Sequence, residues 1–134
     1  MRTLPRWQRM IDSSSRCRSS SFTVVAQDGR RILSEGWVDY SAKLTPQSAG
    51  KHDFEYGAGF WTLRGNTAAA HARIAAGMPA DSFMAQGSQG QYTIVIPSED
   101  LVVVKIGWAY TPNDDRIAAA RLVRETIAAL QSQK

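Results

Sequence analysis

Cysteine is nearly absent from this 134-residue chain, where Cys17 stands alone. No intramolecular disulfide can therefore brace the fold, and nothing points to an oxidising compartment. Histidine is almost as scarce: His52 and His71 are the only two, they lie far apart, and neither has partners at metal-ligand spacing. Both read as surface residues, and no metal or cofactor is expected. No run of 18 apolar residues occurs, which excludes a membrane-spanning helix. The apolar stretch of a secretory signal is missing as well, so a cytoplasmic location is the expectation.

Charge is also missing where it would suggest a nucleic-acid partner. The net charge is +4, but residues 1–21 carry Arg2, Arg6, Arg9, Arg16 and Arg18 against Asp12 alone, whereas residues 22–134 hold 11 basic and 11 acidic side chains. With six serines among them, residues 1–21 read as a disordered basic tail. Such an arm touches phosphates non-specifically; no recognition helix follows it, so specific nucleic-acid binding is not expected. Hydrophobic residues make up 43% and charged residues 21%, the balance of one globular domain with a real core.

What is present is a set of short elements. Phe22–Ala26 reads as a short strand or helix end before a turn at Asp28-Gly29. Arg31–Tyr40 reads as a short helical segment with Ser34 as a possible cap and Leu33, Trp37 and Val38 inward. Ser41 to Glu55 is polar and aperiodic, the mark of a loop. Tyr56–Leu63 is aromatic enough for a strand, with Gly57 and Gly59 where another backbone or a ligand comes close. Ala68–Ala76 has helical propensity and stops at Gly77 and Pro79. Tyr92–Ile96 and Leu101–Ile106 form an antiparallel hairpin across Pro97-Ser98-Glu99-Asp100. Because Val102, Val103 and Val104 leave neither face polar, that second strand is expected to be covered on both sides.

One cover is evident in the sequence. Thr111 caps and Pro112 opens a helix in which Ile117, Ala120, Val123, Ile127 and Leu130 recur at three- and four-residue steps. No second cover is found, so a layer is missing or a partner provides it. The fold class that follows is α/β in composition, of the α+β type: an antiparallel sheet packed against a C-terminal helix.

Between the strand-like segments lies Ala85-Gln86-Gly87-Ser88-Gln89-Gly90-Gln91, a Gly-x-x-Gly bend. Main-chain N–H groups fixed at such a bend can stabilise negative charge developing on a reacting carbonyl oxygen. The bend has no nucleophile or base of its own. Four pieces stand in order along the chain: Arg31–Val38, Tyr56–Trp61, Ala85–Gln91, and Ile96-Pro97 followed by Leu101–Val104. Together, over about residues 27–130, they resemble the C-terminal part of the serine beta-lactamase and penicillin-binding-protein superfamily, especially its class C-like esterases and 6-aminohexanoate-dimer hydrolases.

The resemblance implies a portion of a beta-lactamase-like α/β sandwich over residues 22–134. It also implies hydrolysis of a small ester or amide through an acyl-enzyme. In that family a Ser-x-x-Lys motif supplies nucleophile and base, a Tyr-x-Asn-like motif carries a second proton, and a third motif lies on a strand ending in glycine. Ala85-Gln86-Gly87 falls at the third motif and matches only its glycine. The resemblance therefore assigns Ala85, Gln86 and Gly87 to the substrate wall and the backbone N–H of Ser88 to the oxyanion hole. Ala85 stands where a Lys or His is common, so recognition of a penicillin carboxylate is not expected.

Ser48-Ala49-Gly50-Lys51 satisfies Ser-x-x-Lys literally, but it lies in a polar loop and holds a glycine. The chemistry needs Ser and Lys one turn apart on a helix, so that a desolvated amine can take the hydroxyl proton. Tyr40-Ser41-Ala42 lacks the asparagine. Trp61 and Phe60 read as core aromatics before substrate walls. Two classes of function remain. One is the oxyanion-strand portion of a serine hydrolase, whose nucleophile comes from a missing N-terminal half and which is inactive alone. The other is a noncatalytic α/β module that binds a partner through the hairpin edge or an exposed apolar face. In either case the uncovered apolar hairpin leads to the expectation that the isolated chain self-associates or needs a partner.

Overall fold

The computed structural model describes residues 30–46, 48, 55–108 and 112–133. The readings of residues 1–21 and 22–29, the Thr111 cap, Lys51 and His52 fall outside them. The described chain is α+β: α1 (Trp37–Ala42), β1 (Glu55–Tyr56), β2 (Trp61–Thr62), α2 (Ala68–Ala75), β3 (Phe83–Gln86), β4 (Tyr92–Ile96), β5 (Leu101–Lys105) and α3 (Pro112–Gln131). The strands form one antiparallel sheet in sequence order, β1-β2-β3-β4-β5.

Register sorts the side chains onto two faces, since successive residues of a strand alternate. Met84, Ile94 and Val103 stand side by side, with Trp61 opposite Met84. This row is the centre of the core, and Leu63, Met78, Tyr92, Ile96, Ala119, Ala120 and Val123 close around it. The opposite face carries Phe83, Val95 and Val102 in one row and Ala85, Thr93 and Val104 in the next.

That second face corrects the expectation for β5. Val103 is 8% exposed, but Val102 and Val104 are 53% and 58% exposed, so only one face of the strand is covered. Three β-branched residues in a row record strand propensity here, not burial on both sides.

Helix α3 runs where its periodicity places it, and its stripe is inward at Ala120, Val123 and Ile127 but not at its two ends. Ala119, Ala120 and Val123 are buried with Ile127 packed beside them, while Ile117 and Leu130 are exposed. Alanine at the contact lets the helix backbone approach the sheet. On its solvent side Arg124 donates a hydrogen bond to Glu125 and, together with the charge of Arg121, holds that carboxyl below its ordinary range.

Helix α2 is closed at both ends. Thr67 accepts from the Ala70 N–H at 3.2 Å, satisfying a donor of the first turn. At the other end the Gly77 N–H reaches the Ile74 carbonyl and the Met78 N–H the Arg73 carbonyl, with Gly77 at φ 103°. This is the paired Schellman closure.

Helix α1 departs from expectation. Its N-cap is Gly36 at φ 75°, with no side-chain cap; Ser34 offers only its carbonyl, to the Trp37 N–H at 3.2 Å. Trp37 lies 52% exposed instead of inward. Ser41 and Ala42, assigned to a loop by their polarity, are the buried end of this helix.

Gly57 receives that helix end, as its sequence position suggested. A Cβ there would collide with the Ser41 carbonyl and come within 2.9 Å of the Lys43 carbonyl. Both obstacles are backbone and cannot rotate away. Gly57→Ala is expected to destabilise the protein by about 1–3 kcal/mol, read as a lowered urea midpoint at constant slope. An unchanged midpoint would mean that α1 does not dock on this hairpin.

Candidate functional site

The bend after β3 is built by backbone conformation. Gly87 is extended, with φ −96° and ψ 175°, and its N–H continues the ladder to the Gln91 carbonyl at 2.8 Å. Gln89 and Gly90 then take left-handed conformations at φ 61° and 79°. Two successive positive φ values turn the chain back tightly; glycine does this freely and glutamine does not. Gln89 therefore stores strain of about 1–2 kcal/mol, and the bend is held in shape against it.

Lys105 is one of the groups that hold it, and sequence reasoning missed it. Its Nζ donates to the Gly90 carbonyl at 2.6 Å and lies 5.8 Å from the centre of the Tyr92 ring. The sequence signal was a single cation ending a valine run. Gln91 Nε2 adds a bond to the Ser88 carbonyl at 3.3 Å. Lys105→Met keeps the aliphatic stem and loses the charged hydrogen bond. It should lower stability by about 1.5–3 kcal/mol in thermal or urea unfolding; no change would show that the bend does not depend on this tether.

The assigned residues split between the two faces. Ala85 is exposed on the face opposite α3, and Gly87 and Ser88 are exposed beyond the strand end. Gln86 points the other way: it stands in the row with Tyr92 and Lys105, and its Oε1 is buried. Only the Gln86 backbone can therefore line a cleft on the Ala85 side. Thr93 takes that place instead, exposed and directly across from Ala85. The row Ala85, Thr93, Val104 contains no charge, so neither β4 nor β5 supplies at this level the cation that Ala85 lacks.

Ser48 sits in a turn, not on a helix. Its Oγ shares a hydrogen bond with Thr45 Oγ1 at 2.8 Å, and its N–H donates to the Thr45 carbonyl. It is part of the clasp by which Thr45 holds β1. Tyr40 is exposed on helix α1. His71 is a surface residue, as expected, and among the described residues no group of His, Cys, Asp or Glu could hold a metal ion.

The aromatic residues divide likewise. Trp61 packs against the core with Tyr56 edge-on at 4.6 Å. Phe60 covers Phe83 edge-on at 5.3 Å, which explains how Phe83 is buried on the otherwise open face. At the other end of the hairpin, Asp81 accepts from the Ser98 N–H at 2.7 Å and from Ser98 Oγ at 3.0 Å, fixing the β4–β5 turn against the start of β3.

No helix among the described residues is long and apolar enough to cross a membrane. No protein-family model matches the chain, and no curated protein matches it.

Proposed function

We propose that this chain supplies the oxyanion strand and one cleft wall of a serine hydrolase that cleaves a small ester or amide through an acyl-enzyme. The observation that carries the proposal is the end of β3: Gly87 and Ser88 emerge exposed from a rigidly braced bend, beside an uncharged and uncovered face. In the catalytic step, a serine hydroxyl from a partner segment adds to the substrate carbonyl while its proton passes to the paired amine. The carbonyl oxygen becomes an oxyanion, and the Ser88 N–H donates to it. Collapse of the tetrahedral intermediate then breaks the bond to the alcohol or amine, which leaves with the proton held by the paired amine. Water adds to the acyl-enzyme to release the acid and restore the serine hydroxyl. A donor fixed before reaction needs no reorganisation, which is the source of its effect.

The uncharged Ala85–Thr93–Val104 row favours a substrate without a carboxylate near the scissile bond. The exposed valines of the same face support the second reading, a noncatalytic module that binds a partner there.

The chain alone is expected to hydrolyse neither p-nitrophenyl esters nor a chromogenic cephalosporin, and to resist labelling by a serine-reactive phosphonate. Co-expressed with a family N-terminal half that carries Ser-x-x-Lys, it should form a complex that hydrolyses the p-nitrophenyl ester and is labelled by the phosphonate. Stoichiometric labelling of Ser48 in the chain alone would overturn the assignment. A well-formed complex that remains inert would leave the binding-module reading.

A further inference from the structure

Most left-handed positions of the described chain are glycines: Gly36, Gly59, Gly77 and Gly90 all have positive φ. Only Asp100, at φ 48°, and Gln89, at φ 61°, join them with side chains. Aspartate suits the left-handed region because its short side chain bonds to nearby backbone, and glutamine has no such excuse. Strain of this kind in an exposed bend points to a use for the side chain that glycine would lack. The three glutamines of Ala85–Gln91 are in fact engaged differently. Gln86 turns its Oε1 into the interior, and Gln91 donates from Nε2 to the Ser88 carbonyl at 3.3 Å. Gln89 is exposed, and its carboxamide makes no hydrogen bond among the described residues. The fold does not use it, yet it stands next to Ser88, whose N–H is the proposed oxyanion donor.

We infer that Gln89 is a specificity-determining residue of this site, its carboxamide binding an amide group that flanks the scissile carbonyl of the substrate. The inference rests on the hydrolase reading. Consecutive Cα atoms are about 3.8 Å apart, so a carbonyl oxygen held by the Ser88 N–H brings groups a few bonds along the substrate within reach of the Gln89 side chain. A carboxamide offers donors and an acceptor together, the complement of the C=O and N–H of a secondary amide. It carries no charge, in keeping with the uncharged Ala85–Thr93–Val104 row, and gives no preference to a carboxylate. A site that offers hydrogen bonds rejects an analogue without the matching groups, because its polar atoms then lose water and gain nothing. The left-handed backbone presents this group beside the oxyanion donor; glycine there would turn more easily and present nothing.

The test compares two p-nitrophenyl esters with acyl chains of equal length: the N-acetylglycinate, which has an amide beside the scissile carbonyl, and the pentanoate, which has none. The enzyme is the full chain in complex with an N-terminal half that carries Ser-x-x-Lys. The ratio of kcat/KM for the two esters, taken in each variant relative to the wild type, cancels their different intrinsic reactivities. Gln89→Gly and Gln89→Ala should each lower this ratio about 3–10-fold, the net worth of one hydrogen bond. Alanine keeps the strained backbone and glycine relieves it, so equal falls assign the effect to the carboxamide. A fall in only one of the two would assign it to the backbone of the bend and overturn the inference. Gln89→Gly should also unfold in urea at a midpoint no lower than that of the wild type; a lowered midpoint would give the side chain a structural role and overturn the inference as well. An active complex whose ratio is unchanged in both variants overturns the inference and leaves the hydrolase reading standing. A wild-type complex inert toward both esters overturns that reading, and the inference with it.

Discussion

Ile94→Ala should lower the unfolding free energy by about 2–5 kcal/mol, the range for truncating a fully buried aliphatic side chain. Ile94 is 0% exposed, on a central strand between Met84 and Val103. The loss combines the transfer of three carbons to water with the cavity left beneath α3, where buried Ala119 and Ala120 are too short to fill the space. Against a total stability of about 5–15 kcal/mol this is a large fraction. Val102→Ala, one row away on the open face, should change monomer stability by no more than about 0.5 kcal/mol. Chemical denaturation of the two variants at high dilution separates a one-sided sheet from a two-sided one: comparable losses at both sites would mean that Val102 is covered after all.

That contrast marks where the sequence was readable and where it was not. The hairpin was legible because a proline-containing turn separates two β-branched runs, and both strands and their turn lie where that pattern puts them. Helix α3 was legible from its alanine-rich periodicity, and Ala120, Val123 and Ile127 pack inward as expected, but the two ends of the stripe, Ile117 and Leu130, are exposed and Ala119 is buried. Ile117 was counted as inward for its size, whereas the packing buries the small Ala119 beside Ala120 and leaves Ile117 outside. The burial of Val102 and Val104 was overestimated for a related reason, since composition gives propensity but not the number of layers.

The bend was found through Gly87 and Gly90, but the parts that hold it were not. Gln89 carries a conformation that its side chain gives no hint of, and Lys105 reaches Gly90 across 15 residues of sequence. The division of Ala85 and Gln86 onto opposite faces followed only once the register with Thr93 and Tyr92 was known. Thr93 entered the candidate site by the same route. Helix α1 was obscured because Ser41 looks like loop, and its burial depends on the close approach of Gly57 that follows 16 residues later.

The largest functional effect is expected at Ser88, in a complex of this chain with an N-terminal half that carries the nucleophile. Ser88→Ala keeps the backbone donor and should keep most of the activity. Ser88→Pro removes the N–H and should reduce turnover by about 10²–10³, the usual effect of losing one oxyanion donor. Proline can also disturb a strand, but Ser88 lies beyond the end of β3, and circular dichroism with melting temperature tests whether the fold survives. Gly87→Ala offers an independent check, because a Cβ at Gly87 meets only Gln91, its Cβ at 3.4 Å and its carbonyl oxygen at 3.8 Å, and the backbone is extended. The variant should fold normally, so lost activity would report crowding of the substrate instead of damage to the bend. If Ser88→Ala is as inactive as Ser88→Pro while both are folded, the hydroxyl is the working group and the backbone role is wrong. If Ser88→Pro stays active, the oxyanion donor lies elsewhere, and the exposed end of β3 is a structural turn.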